Sequence, residues 1–352
     1  MNQQTNKNPF VFACGVPRSG TTLLQRMLNS HPEMAVANDT HFIPRALELT
    51  DKTLIQQAQT GASIELTDEL ADNVFQYHRF RRLGLSSEEF DTVKARSGSY
   101  QELVAGLYAG FGSKHNKPLA GEKTPDYLRR LSLLHGLFPD AKLIHLVRDG
   151  RNVALSLLDW ATPTKGPGRL ELWNEHPIGV CALWWKWFVD HARQQSTSLP
   201  TTAFLELRYE DLVDQPEQQM RLTCDFLGLD FHQQMLEYHR GKSKSKSAGK
   251  LSAKSAWLAP QKGLRDWRSD MSREQIELFE ILAGDALKAY GYSVASSEYS
   301  DLTVEAAKKC NQWWEQNFLP KHESKKAKGQ NSATNQPGKS LDNLDDSLRE
   351  VV

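Results

Sequence analysis

The sequence predicts an α/β fold. It is a P-loop-like three-layer architecture, with a central parallel sheet flanked by helices and a helical cap insertion. Three observations predict it. Short apolar runs at 10–14, 118–123, 142–148 and 203–209 alternate with helical stretches, a pattern that builds parallel sheets covered on both faces. The first run passes through Gly15, four residues, Gly20, Thr21 and Thr22 into Leu23, Leu24, Met27 and Leu28 at helical spacing. That is the strand, glycine-bounded loop and helix of a phosphate-binding loop. Residues 45–115 are helical in pattern and lack strong strands, which gives the cap.

The loop GVPRSGTT at 15–22 carries the most chemistry. Gly15 and Gly20 admit torsions and close approaches that a Cβ hinders. Loop amides and the helix N-terminus then face one spot, where the helix dipole favours an anion. Ser19, Thr21 and Thr22 bring hydroxyl groups, and Arg18 is the only cation, able to make charge-assisted bonds. The position where a nucleoside-triphosphatase loop carries lysine holds Thr21. The loop therefore suits a phosphate-like group but lacks the lysine that reaches the β/γ-phosphates of ATP. An ordinary βα turn would not need so polar and glycine-rich a stretch.

The remaining elements follow in order. After the strand at 118–123 a helix starts at Pro125, and the strand KLIHLVR (142–148) leads into a helix from Asp149 to about Trp160. A glycine- and proline-rich loop at 161–169 precedes a helix at about 178–195. Its Trp184, Trp185, Trp187 and Phe188 at helical spacing read as core and not as a platform for bases. The strand AFLELRY (203–209) is followed by helices at about 215–228, 231–240 and 272–290, with the Lys/Ser-rich stretch 241–256 among them. From about residue 320 the chain is polar, poor in apolar residues, and reads as disordered.

Composition narrows the function classes. The 352 residues hold 43 basic and 43 acidic side chains, which argues against a general polyanion or nucleic-acid binder. The polar start MNQQTNKNPF does not resemble a signal peptide, and no apolar stretch approaches the ~18 residues of a membrane span. Cys14, Cys181, Cys224 and Cys310 are widely separated without ligand spacing. They read as thiols of a reducing cytoplasm and not as disulfides or a metal site.

Two further basic elements accompany the loop. In HLVRDGRNVALSLL (145–158), Arg148 ends a strand and Ser156 lies about two helical turns on. The carboxyl ends of parallel strands share one edge, where ligands bind, so Arg148 is expected on the same edge as Arg18. The competing reading is a local Arg148–Asp149 ion pair with Arg151 in solvent. In APQKGLRDWRSDMS (259–272), Lys262 and Gly263 set a cation beside a permissive backbone, with Arg265 and Arg268 nearby. Separated anion-binding elements suit a nucleotide with phosphate-like groups at both ends.

Together GVPRSGTT (15–22), VRDGRNVALS (147–156), RYEDL (208–212) and QKGLRDW (261–267) resemble sulfotransferases that use 3′-phosphoadenosine 5′-phosphosulfate (PAPS). The likeness extends over roughly 10–292. The first segment, with NDTHFIPR after it, is similar to the tyrosylprotein sulfotransferase branch and its bacterial relatives. QKGLRDW is similar to cytosolic sulfotransferases. The resemblance implies a sulfotransferase domain at 10–295; the remainder reads as a tail at 1–9, a helical extension at 296–319 and a disordered tail at 320–352. The resemblance implies that Arg18, Ser19, Gly20, Thr21 and Thr22 hold the 5′-phosphosulfate. It also implies that Arg148 and Ser156 hold the 3′-phosphate under Lys262 and Gly263, and that Tyr209 lies against the adenine. Trp160 stands where that branch has a further arginine. Sulfuryl transfer can run in line without a metal, by positioning and electrostatics, and none is expected here. The product would be 3′,5′-diphosphoadenosine.

The acceptor hydroxyl or amine needs a base. Asp39 falls where the tyrosylprotein branch has its catalytic glutamate and is one methylene shorter. His41 competes, with an ordinary pKa suited to neutral pH, and Asp39 could instead be only a turn or cap residue. Lys123 in GEKTPDYL matches a family lysine that stabilises the leaving group, the competing reading being a surface lysine paired with Glu122 or Asp126. A serine at 252 or 255 could also contribute. His31 reads as structural. The rivals in function are a P-loop kinase using ATP and a non-catalytic nucleotide-binding protein. The acceptor itself, whether metabolite, glycan, lipid or peptide, is not legible, because acceptor choice lies in variable segments such as 45–115 and 161–175.

Overall fold

A computed structural model describes residues 8–240, 265–295 and 298–322. They form two compact units: residues 8–148 with 188–240, and residues 149–187 with 265–295 and 298–322.

The first unit is built on five parallel strands in the order β2-β3-β1-β4-β5. β1 (Val11–Cys14) is buried throughout. It pairs with β3 (Leu119–Lys123) on one side and β4 (Lys142–Val147) on the other, with Phe12 opposite both Glu122 and Leu143. β2 (Met34–Asn38) lies outside β3 and β5 (Phe204–Arg208) outside β4. The chain leaves β1 toward β2 and leaves β4 toward β5, in opposite directions across the sheet. These neighbouring strands therefore mark a topological switch point, the place where open α/β sheets hold ligands.

α1 (Thr21–Asn29) turns Leu23, Leu24, Met27 and Leu28 into the core formed with Val11, Ala13, Val36 and Ile144. Its outer Gln25 ties it to β2 by donating to the Val36 carbonyl at 2.7 Å. Between β2 and β3 the chain forms α2 (Phe42–Thr50), α3 (Thr53–Gln59), α4 (Asp68–Gln76), α5 (Ser87–Lys94) and α6 (Tyr100–Lys114), with a 3₁₀ turn at Phe80–Leu83. Local caps set these starts. The Thr67, Ser86 and Ser99 side chains accept from the third helical N–H, and Ser86 with Glu89 closes a capping box.

Several boundaries differ from expectation. β2 falls in a stretch the sequence reading leaves inside a single βα unit. Its MAVAN holds two alanines of low strand propensity, and its place comes from five-residue pairing with β3. The helix expected from Pro125 is a 3₁₀ segment, Pro125–Arg130, before α7 (Leu131–Leu137). β5 stops at Arg208, so Tyr209 opens α10 (Tyr209–Asp214), which is followed by α11 (Pro216–Leu227). The helix expected at 231–240 is only a 3₁₀ turn, Gln233–Met235.

The second unit is helical. It holds α8 (Gly150–Trp160), the first half of α9 (Pro177–Ser196), and helices at Trp267–Asp270, Arg273–Ala289 and Asp301–Trp313. The last continues through a π-helical turn, Trp314–Phe318, into Leu319–His322. Trp184 and Trp187 pack on Phe318, and Trp185 packs on Phe279 and Tyr290. The tryptophan cluster is thus core, as its spacing suggests. Among the described residues no helix is long and apolar enough to cross a membrane.

Candidate active site

Within the first unit, the carboxyl ends of four strands supply the sequence-predicted groups: the 15–20 loop after β1, Asp39 after β2, Lys123 ending β3 and Arg148 after β4.

The loop after β1 depends on its glycines. A Cβ on Gly15 would lie 2.5 Å from the Leu146 carbonyl oxygen. Gly20 has φ 95°, and a Cβ there would meet the Tyr209 ring at 2.4 Å. Arg18 also takes a positive φ of 80°, uncommon for a side-chain-bearing residue. No side chain caps α1 and its first turn holds no acid, which leaves the positive end of the helix available to an anion. Ser19 is buried and its hydroxyl makes no hydrogen bond. A buried polar oxygen without a partner is costly, and an anionic ligand in the loop would supply one. Thr21 is buried beside Gly15, while Thr22 is half-buried. The Arg148 guanidinium lies over the Tyr209 ring, 4.3 Å from its centre, and reaches toward the Arg18 carbonyl oxygen at 3.5 Å. Arg18, Gly20, Tyr209 and Arg148 thus form one cluster.

The second cluster sits at the ends of β2 and β3. Asp39 continues the ladder, its N–H donating to the Lys123 carbonyl at 2.8 Å, then turns with φ 54°. Its fully buried carboxylate accepts from Lys123 Nζ at Oδ2, 3.0 Å, while Oδ1 is left without a hydrogen bond. This bears on two competing readings. Asp39 does sit in a turn, but His41 and not Asp39 is the N-cap of α2, and Lys123 is a buried cation held by Asp39 and not a surface lysine. Asp126 pairs with Arg129 instead. Burial works against the Asp126 charge, but Arg129 leads the opposing interactions and its pKa is lowered.

His41 stands two residues beyond Asp39, at φ 56°. Burial, aided by the neighbouring Arg79, pushes its pKa down to about 4. The near-neutral value expected from sequence is overturned, because the imidazolium would be dry and close to other cations. Its Nε2 is buried without a hydrogen bond.

Three residues escape the sequence reading. Arg82 donates to the Asp39 carbonyl at 2.9 Å and lies 3.9 Å from Oδ2. Arg79 is buried, and burial lowers its pKa. Glu122, wholly buried, accepts from the backbone N–H of Thr40 and His41. Glu122 is followed in β3 by Lys123, so the sequence carries no clear signal that it is buried.

The second unit contains Ser156, buried on α8. There Asp149 caps α8 and accepts from Arg151 through two nitrogens, at 3.0 and 2.8 Å. Arg151 also donates to Glu280 at 2.6 Å and stacks on Trp267 at 3.6 Å. The expectation of Arg151 in solvent is overturned. Asp149 pairs with Arg151, and Arg151 is buried. Lys262, Gly263, Ser252 and Ser255 lie outside the described residues. All four cysteines are buried free thiols.

The sulfotransferase family model matches residues 9–233. The chain belongs to the sulfotransferase family. Among relatives, it is 26% identical over 233 residues to protein-tyrosine sulfotransferase A of Caenorhabditis elegans, covering 66% of this chain and 53% of that protein. It is 28% identical over 247 residues to protein-tyrosine sulfotransferase 2 of Gallus gallus, covering 69% and 58%. The chain thus spans about half the length of these curated relatives. The sulfotransferase domain of the Synechococcus olefin synthase shares the fold, with a TM-score of 0.56 and 23% identity over 84% of this chain and 98% of that one.

Proposed function

We propose that this sulfotransferase moves a sulfuryl group from PAPS to a hydroxyl or amine of its acceptor. The observation that carries the reading is the pairing of two unlike clusters at one sheet edge. One is an uncapped helix start with an unpartnered Ser19 hydroxyl beside Arg18. The other is a buried Asp39 with one oxygen held by Lys123 and one unpartnered. The residues present fit a phosphosulfate at the loop, since every group there is a donor or an exposed helix end.

PAPS supplies an activated sulfuryl group on a phosphate leaving group. Arg18, the α1 amides, Thr21 and Thr22 bind that end and fix its direction. Arg148 serves the 3′-phosphate, with Ser156, Lys262 and Gly263 as the family resemblance implies, and Tyr209 lies by the adenine. Asp39 takes the acceptor proton on Oδ1, the oxygen without a partner, while Oδ2 stays on Lys123. Lys123 thereby fixes the rotamer of the base and places a positive charge where negative charge develops. His41, with its pKa near 4, is neutral at pH 7 and loses the near-neutral basicity that recommended it as the base. Family membership leaves the ATP kinase reading without support. A cytoplasmic setting agrees with the four unpaired thiols.

Calorimetry with 3′,5′-diphosphoadenosine in the absence of magnesium, followed by ³⁵S transfer from labelled PAPS to fractionated acceptor pools, tests the reading. Binding with label transfer supports it. Binding without transfer to any pool would leave a nucleotide-binding protein, and absence of binding would refute the donor assignment.

A further inference from the structure

We infer that Glu122 is a positioning residue: it locks the strained Asp39–Thr40–His41 turn and so aims the Asp39 carboxylate at Lys123. The inference rests on the reading of Asp39 as the base. The turn holds two non-glycine residues at positive φ, Asp39 at 54° and His41 at 56°. Such conformations persist only where the surroundings over-determine them. Glu122 provides that constraint. Its Oε1 accepts from the Thr40 N–H at 2.6 Å and the His41 N–H at 3.2 Å, and also from the Thr124 hydroxyl. Its Oε2 accepts from the Tyr108 hydroxyl. Four donors thus converge on one carboxylate that has no exposure to solvent.

The carboxylate also completes a helix start. α2 begins after His41 with no side-chain cap and no acid in its first turn. Glu122 therefore brings, from a different element, the negative charge that the dipole favours and an acceptor for the Thr40 and His41 N–H groups. β3 geometry explains why this residue can do it. Successive strand side chains point to opposite faces. Glu122 therefore grips the turn's backbone while Lys123, the next residue, grips its Asp39 carboxylate. Tyr108 links the lock to α6, where its ring stacks on Phe42 of α2.

The test compares Glu122→Ala and Glu122→Gln with wild type by amide hydrogen exchange, crystal structure, binding of 3′,5′-diphosphoadenosine, and ³⁵S release from labelled PAPS at saturating donor. In Glu122→Ala, exchange of the Thr40 and His41 amides should speed up by about 10-fold or more. The Asp39–Lys123 contact should open, and turnover should fall about 100-fold, the cost of a small misplacement of a reacting group. Nucleotide affinity should change less than about 2-fold, because the lock does not touch the 15–20 loop. Glu122→Gln keeps an acceptor oxygen for both amides and the Thr124 hydroxyl, and the Tyr108 hydroxyl can reverse to accept from the new amide group, so it should recover most of the loss. If Glu122→Ala does not fold, Tyr108→Phe removes one donor only and should show a smaller rise in exchange at the same two amides. An Ala variant that keeps both positive φ values and the Asp39–Lys123 contact would overturn the inference. So would turnover loss that the Gln variant does not relieve. Wild type failing to bind the nucleotide would sink the functional reading alone, since exchange and crystal geometry still decide the lock.

Discussion

The loop at 15–20 and the corner at 39–41 face the same sheet edge and are built in opposite ways. The loop is local. Its positive φ angles fall on its own Arg18 and Gly20, its charge comes from its own Arg18, and its positive field from the helix that follows it. The corner is non-local. Its positive φ angles fall on Asp39 and His41, its restraint comes from Glu122 on another strand, and its charge is balanced by Lys123. The difference suits two tasks. An anion-binding site must stay open to solvent until its ligand arrives. A base must hold one oxygen in one direction, away from water, and this takes partners from several elements.

The largest expected effect breaks the corner and spares the loop. Asp39→Asn keeps the shape but cannot accept a proton. Turnover should fall by about 10³-fold or more, within the range of general-base removal, with 3′,5′-diphosphoadenosine affinity preserved. Loss of both together would mean that Asp39 supports the fold and not the reaction.

pH probes the corner through His41. The folded-state pKa of His41 is depressed to about 4, against about 6.5 in the unfolded chain. Between these values the unfolded state binds the extra proton. His41 therefore contributes stability that is fully present above about pH 6.5 and is lost as pH falls toward 4, up to roughly 3 kcal/mol. His41→Asn tolerates the positive φ and cannot titrate. Denaturant unfolding from pH 7 to pH 4 should show a shallower decline for the variant. Parallel curves would place His41 in a wetter site than the fold suggests.

The loop is tested through Gly20. Alanine there must adopt φ 95° and bring its Cβ to within 2.4 Å of the Tyr209 ring, so ring or loop must move. Nucleotide affinity should fall about 100-fold, the scale of a displaced binding element, while the Asp39–Lys123 corner stays intact. Gly20→Ala binding like wild type would show that the Tyr209–Gly20 approach is not needed.

The same contrast explains what the sequence could and could not reveal. The loop, Arg148, the four expected strands and the buried tryptophans were legible because each follows from neighbours in sequence: glycine spacing, a short apolar run, helical periodicity. β2 was hidden because its alanines carry little strand preference and its pairing with β3 reaches across some eighty residues. Asp39 and Lys123 were legible as residue types but not as partners, and the competing pairings with Glu122 or Asp126 were equally plausible on spacing. Glu122 was hidden because a lone carboxylate beside a lysine looks like surface. Only the fold reveals the two N–H groups that need it. The His41 pKa was misjudged for the same reason, since burial and Arg79 come from elsewhere in the chain.

The smallest effect separates charge from shape within the loop's own cluster. Arg18→Ala and Arg148→Ala should each weaken PAPS or 3′,5′-diphosphoadenosine binding about 10-fold, the loss of charge-assisted bonds. Arg148→Lys is the sharper case. The guanidinium plane lies 4.3 Å over the Tyr209 ring, a position that an ammonium on a flexible stem fills less well. If Arg148 acts only as a charge, lysine restores the affinity. If it also holds the Tyr209 ring against Gly20, lysine recovers only part of it, about 3-fold short of wild type. The shortfall should then vanish in a Tyr209→Leu background, where no ring is left to hold. A shortfall of equal size in both backgrounds would assign Arg148 to the anion alone. The loop would then be self-contained after all, in contrast with the corner, which cannot form without β3.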